Sequence, residues 1–205
     1  MMLFEDTYHT ITNPSKGLYK EKGSKFIAVA VPVMTEEEVK EKLEDLRKEY
    51  HDARHHCYAY VLGFDKSAHR YNDDGEPSGT AGRPIFGQLQ SKDLTNILVV
   101  VIRYFGGTKL GISGLITAYK SATRDALETA VIISLTVNDV YQLSFEYPLM
   151  NEVMRVIKDE ALKVADQDFQ LSCKLNFKVR KNSSNKVYER FNKIHGVKID
   201  YLKTV

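Results

Sequence analysis

Two glycine-rich, charged segments carry most of the side chains in this chain that are suited to chemistry. The first runs Arg70-Tyr71-Asn72-Asp73-Asp74-Gly75-Glu76-Pro77-Ser78-Gly79-Thr80-Ala81-Gly82. The second runs Arg103-Tyr104-Phe105-Gly106-Gly107-Thr108-Lys109-Leu110-Gly111. In the first, Asp73, Asp74 and Glu76 set three carboxylates within four residues, which suits Mg²⁺ binding or general acid–base work. The same acids suit a second reading. They would then fix the loop by accepting backbone N–H groups or by pairing with Arg70, Arg83 or Arg103. In the second segment, Arg103 ends an apolar run and Gly106 and Gly107 make a turn. Lys109 and Gly111 then lead into a helix. N–H groups at a helix start, with a lysine and an arginine nearby, attract phosphate or carboxylate. The order of a P-loop is absent, and the glycines serve equally for tight strand-to-helix packing.

Other candidates are weaker. His55, His56 and Cys57 precede an aromatic and aliphatic run, and strand alternation sends His55 and Cys57 to one face and His56 to the other. Neighbours on one strand rarely reach the geometry of a base and its nucleophile. A buried thiol and an edge histidine are expected instead. His69 reads as a solvated loop histidine. In the C-terminal half, Lys174, Lys178 and Arg180 extend along one strand face, with Lys181, Lys186, Arg190 and Lys193 nearby. Such a face suits RNA, but it lacks the aromatic signature of RNA-binding sheets and reads equally as a solvated surface.

The elements that must position these groups follow from periodicity. Strands are expected within Asp6–Ile11 and over Lys25–Val33. Thr35 and Glu38 form a capping box for a helix whose apolar stripe is Val39, Leu43, Leu46 and Tyr50. A strand over His56–Leu62, the acidic loop and a short helix at Pro84–Leu89 follow. A buried strand over Thr95–Tyr104 then leads into a helix from about Gly111 or Ser113 to Ala130. After Thr136 the pattern is a strand with Tyr141, Leu143 and Phe145, then a helix opened by Pro148. Next come strands within Leu162–Phe169 and over Leu171–Val179, a helix over Asn182–Ile194 and a strand over Val197–Leu202. That order, β-α-β-β-α-β, is ferredoxin-like. The fold class is therefore α+β, with domains over residues 1–136 and 137–205.

Composition sets limits. The chain has 205 residues, a net charge of +2 and 43% hydrophobic residues. These are values of an ordinary globular protein, and the charge alone makes no case for nucleic acid. No apolar run reaches the ~18 residues of a membrane span, so no membrane partner is expected. The segment Met1–Thr10 carries acids and no long apolar core, and is not read as a signal peptide. Cys57 and Cys173 lack metal-ligand spacing and read as reduced thiols of a cytoplasmic protein.

Three motifs together resemble the YigZ/IMPACT family across most of residues 20–130. They are His55-x-Cys57-x-Ala59-Tyr60, Asp73 through Gly82, and Arg103-Tyr104-Phe105-Gly106-Gly107-x-Lys109-Leu110-Gly111. Ser113 departs from the resemblance, standing where the family commonly has glycine. The resemblance implies an N-terminal domain like a ribosomal-protein domain and domain IV of elongation factor G. It implies a ferredoxin-like C-terminal domain similar to domain V of that factor. It also implies kinship with eukaryotic translation regulators of the amino-acid-starvation pathway, which act through protein contacts. It brings no catalytic residues and no cofactor. The expectation is a translation-associated regulatory protein that contacts RNA, the ribosome or a translation-regulatory protein. Two alternatives stand beside it. One is an enzyme acting on a phosphorylated or small anionic substrate, with Mg²⁺ held by the acidic loop. The other is a protein-interaction module.

Overall fold

The computed structural model describes residues 6–169 and 172–205. They form two compact units. The first is Tyr8–Leu135; the second joins Asp6 and Thr7 to Thr136–Val205.

The first unit is built on a five-stranded antiparallel sheet. Its strands are β2 (Ser15–Glu21), β3 (Ser24–Pro32), β4 (His55–Leu62), β5 (Ala68–Asn72) and β6 (Ile97–Tyr104), in the order β2-β3-β6-β4-β5. A two-stranded sheet of β1 (Thr7–Ile11) and β7 (Ile132–Thr136) stands beside it. Helix α1 (Glu36–Glu49) covers one face of the large sheet, and α2 (Gly82–Ser91) and α3 (Gly111–Thr129) cover the other. β6 is central and buried on both faces, which explains its unbroken apolar run. Val99 and Val101 pack towards α2 and α3, while Leu98, Val100 and Ile102 pack towards α1.

Thr35 caps α1 as expected, whereas Glu38 reaches one residue further back than a capping box requires. Thr35 Oγ1 accepts from the Glu38 N–H at 3.2 Å, and Glu38 Oε2 accepts from the Met34 N–H at 2.7 Å. Val39, Leu43 and Leu46 are buried, with Tyr50 partly buried beside them.

Two strands carry no periodic signal. β2 has an exposed, lysine-rich face, and β5 is Ala-His-Arg-Tyr-Asn. Both are sheet edges, where pairing with an apolar neighbour supplies the order that their own sequences do not. β5 corrects the reading of Arg70–Asn72 as loop: the acidic loop proper begins at Asp73.

The second unit contains β8 (Asn138–Glu146), α4 (Met150–Asp159), β9 (Lys163–Phe169), β10 (Ser172–Arg180), α5 (Ser184–Asn192) and β11 (Lys198–Thr204). Its antiparallel sheet has the order β11-β8-β10-β9. Pro148 sits in a 3-10 turn, Tyr147–Leu149, that leads into α4, so the α-helix starts two residues later than expected. Leu171, expected to open β10, lies outside the described residues. Cys173, Leu175, Phe177 and Val179 are buried against Val153, Val156, Val187 and Phe191. Glu160 accepts from Lys186 Nζ at 2.9 Å and from Arg190 Nη1 at 2.5 Å, joining the end of α4 to α5.

Candidate functional site

The two glycine segments face each other across one cleft in the first unit. The cleft has a volume of about 380 Å³ and is lined by Glu76, Pro77, Arg103, Phe105 and, from the entry to α3, Lys109, Leu110, Gly111, Ile112 and Leu115. Its wall is largely apolar: Phe105 is 56% exposed and Ile112, in the first turn of α3, 66%. The start of α3 has no side-chain cap. Its first N–H groups and Lys109 therefore give one end of the cleft a positive character.

Local geometry explains the second segment. Gly106 lies against the β2–β3 turn so closely that a Cβ there would meet Gly23 C at 1.9 Å and Ser24 N at 2.2 Å. Gly111, at φ +73°, turns the chain into α3 in open space. Ser113 is exposed in the first turn of α3 and does not disturb the helix start.

Beneath the cleft is a buried polar chain. Arg103 Nη1 donates to Glu76 Oε1 at 2.5 Å, with side chains only 8% and 3% exposed. Tyr119 OH donates to the same oxygen at 2.8 Å, and Cys57 Sγ lies 3.3 Å from Tyr119 OH and 3.0 Å from the Asp73 carbonyl. The Arg103 guanidinium also lies over the rings of Phe26 and Phe105, 5.4 and 5.6 Å from their centroids. Burial pushes the Cys57 thiol and the Tyr119 phenol well above their usual ranges, so both stay protonated.

The acidic loop acts as a brace. Asp73 Oδ1 accepts from the N–H groups of Ala81 and Gly82 at 2.9 and 2.8 Å, and Oδ2 from Gly79 N–H at 2.8 Å. Asp74 Oδ2 accepts from His56 N–H at 2.6 Å, and its carbonyl lies 2.8 Å from His55 Nδ1. Of the three arginines considered for this loop, Arg103 is the one that pairs with Glu76. The three carboxylates thus turn to three different sets of protein donors. Among the described residues no three His, Cys, Asp or Glu side chains gather as a metal-holding group.

Arg103, Gly106, Gly107, Lys109 and Gly111 all belong to the cleft and its turn. Lys174, Lys178 and Arg180 belong to the second unit. Arg180 grips buried Asp6 with two hydrogen bonds, Nε to Oδ2 at 3.1 Å and Nη2 to Oδ1 at 2.8 Å. Lys174 stands opposite Asp168 in register. Lys178 stands opposite Lys163 and, on its other side, Val140, which in turn faces Lys203. Lys163, Lys178 and Lys203, all exposed, therefore share one row across the sheet face away from the helices, with buried Val140 between Lys178 and Lys203. The sequence reading missed Lys163 and Lys203 because strand register, not spacing, aligns them. Lys186 and Arg190 are engaged by Glu160, and Lys181 by Asp139 at 3.3 Å. His69 is a correction: it sits on β5, its ring stacked on Phe86 at 5.0 Å, rather than in a solvated loop.

The Impact N-terminal domain model matches residues 22–127, spanning the cleft, the brace and the buried chain beneath them. The chain belongs to the IMPACT family. Its IMPACT relatives include YvyE of Bacillus subtilis, 28% identical over 95% of this chain and 89% of that protein. YigZ of Escherichia coli is 35% identical over 73% of this chain and 74% of its own length. The chain is also similar to the crystal structure of a hypothetical protein, with a TM-score of 0.71, 29% identity and coverage of 98% and 99% of the two chains. Among the described residues no helix is long and apolar enough to cross a membrane.

Proposed function

We propose that this IMPACT-family protein is a translation-associated regulatory binding protein. In this reading it contacts RNA or the ribosome through the exposed face of its second sheet. The row of Lys163, Lys178 and Lys203 carries the proposal. Lys163 and Lys178 are like charges set directly opposite on the sheet, an arrangement that opposes folding, and among the described residues no ion pair engages Lys163, Lys178 or Lys203. Lys163 and Lys178 stand one strand spacing apart, about 4.8 Å, and Lys203 two spacings beyond Lys178, a row of ammonium groups that would follow a phosphate backbone. The order β11-β8-β10-β9 supports the ferredoxin-like reading of this unit, and family membership supports the link to translation.

Cosedimentation with ribosomes and retardation of structured RNA test this reading. Binding should be salt-sensitive, and the combined Lys163→Glu, Lys178→Glu and Lys203→Glu variant should lose it. No binding at low salt would overturn the reading. The open apolar wall of Phe105 and Ile112 favours a second one, contact with a translation-regulatory protein through the cleft. Salt-insensitive cosedimentation, abolished by Phe105→Ser with Ile112→Ser and untouched by the lysine changes, would select it. The acidic-loop enzyme reading gains no support, because Asp73, Asp74 and Glu76 are directed at the protein's own donors.

A further inference from the structure

A second feature of the first unit lies away from the cleft, at the β5 edge of the large sheet. His69 and Tyr71 stand opposite Val61 and Ala59 in register. Val61 and Ala59 belong to the core beneath α2 and α3, so His69 and Tyr71 sit on the α2 side of the sheet. There Phe86 of α2 meets both rings. Its centroid is 5.0 Å from His69 at an interplanar angle of 17°, and 5.5 Å from Tyr71 at 32°. His69 is exposed and Tyr71 is 45% exposed, leaving flat aromatic surface open to solvent.

A cavity of about 310 Å³ adjoins the rings. His69 and Phe86 form a wall, Val61 and Leu94 an apolar floor, and Gln90 and Asp93 a polar rim. Lys66, also at the rim, pairs with Asp93 and holds that carboxylate in place. The volume falls at the lower end of ligand pockets. A flat ring against the aromatic wall would find donors and acceptors at its edge: Gln90 offers both and Asp93 accepts. Arg83, Phe86 and Gln90 follow one stripe of α2 at helical spacing, so an exposed guanidinium stands one turn from the rings. Open aromatic faces, an edge-reading rim and a flanking guanidinium together are the makings of a base-stacking site.

We infer that His69, Tyr71 and Phe86 form a stacking platform for a nucleobase, with Gln90 and Asp93 reading its edge. The base belongs to a free nucleotide or to a single strand of RNA. This site shares no residue with the lysine row and stands whether or not that row binds RNA.

Anisotropy of a labelled 12-nucleotide single-stranded RNA, measured across a salt series, tests the inference. His69→Ala with Tyr71→Ala should weaken binding by about fivefold or more, the loss of a stacked base. The slope of affinity against salt should not change, because no phosphate contact is removed. The lysine-row variant should instead flatten that slope. Phe86→Leu, which keeps apolar volume in the partly buried position, should weaken binding in the same way. An abasic strand of equal length should bind the wild type less tightly than the base-bearing strand. Unchanged affinity in both aromatic variants, or an abasic strand bound as tightly, would exclude a strand of RNA and, without amide shifts at the platform on titration with adenosine monophosphate, overturn the inference. Amide shifts on titration with adenosine monophosphate identify the source. Shifts at His69, Tyr71, Phe86 and Gln90 support a nucleotide site, and shifts there only with the strand support an RNA site. No shift there with either overturns the platform.

Discussion

Arg103 and Glu76 join the two glycine segments through a buried ion pair, 2.5 Å from Nη1 to Oε1. One residue lies near the end of the central strand and the other in the acidic loop, so the pair ties the two walls of the cleft together. Removing one partner strands the other charge out of water, a loss of about 3–5 kcal/mol. Glu76→Ala should show a loss of that order in urea unfolding. Arg103→Met with Glu76→Leu should recover part of it, because neither charge is then left alone. A double variant less stable than both single variants would contradict a buried-pair role.

Asp73 accepts three backbone N–H groups from the turn that leads into α2. Asp73→Ala should cost about 2–4 kcal/mol, since hydrogen bonds to a charged group are worth more than neutral ones. Asp73→Asn retains one acceptor oxygen and should cost less. Equal stability of Asp73→Ala and wild type in chemical denaturation would refute the brace. The same variants separate bracing from metal chemistry: if they fold normally yet abolish Mg²⁺ binding seen by calorimetry, the loop is a metal site.

Gly106 and Gly107 are adjacent but constrained differently. A methyl group on Gly106 would collide with backbone of the β2–β3 turn, so Gly106→Ala should destabilise by about 2 kcal/mol or more. Gly107 has φ +87° with open space around it. Gly107→Ala should cost only the left-handed backbone penalty, about 1 kcal/mol. Thermal melts of the two variants should rank in that order, and the reverse order would show that the close approach of Gly106 is relaxed in solution.

His56 supplies a pH dependence. It is buried on the α1 side of the sheet, and burial holds its pKa below the ordinary 6.5, against the attraction of Asp74. Arg47 and His55 add to the lowering. The unfolded chain therefore binds more protons than the fold once pH drops below about 6.5. His56 contributes its full stability above that pH, and the contribution shrinks as pH falls towards the folded pKa. Unfolding midpoints between pH 7.5 and 5.5, on the order of that titration window, should decline more steeply in wild type than in His56→Asn. Parallel declines would show that His56 does not titrate differently in the fold.

Much of this protein is determined by local sequence. The α1 stripe of Val39, Leu43 and Leu46, the Thr35 cap and the β6 run each encode an element within a few residues, because amphipathic period and capping are short-range properties. The motifs that mark the IMPACT family are equally local. Tertiary structure alone decided which of three arginines meets Glu76, that β2 and β5 are strands, and that Lys163 and Lys203 fall in line with Lys178. It also brought His69 and Tyr71 of an edge strand onto Phe86 of a helix. Pairing register and burial act through space between residues far apart in the chain, and neither leaves a periodic trace. The two glycine segments are written plainly in the sequence; the cleft between them exists only once β6, the acidic loop and α3 have packed.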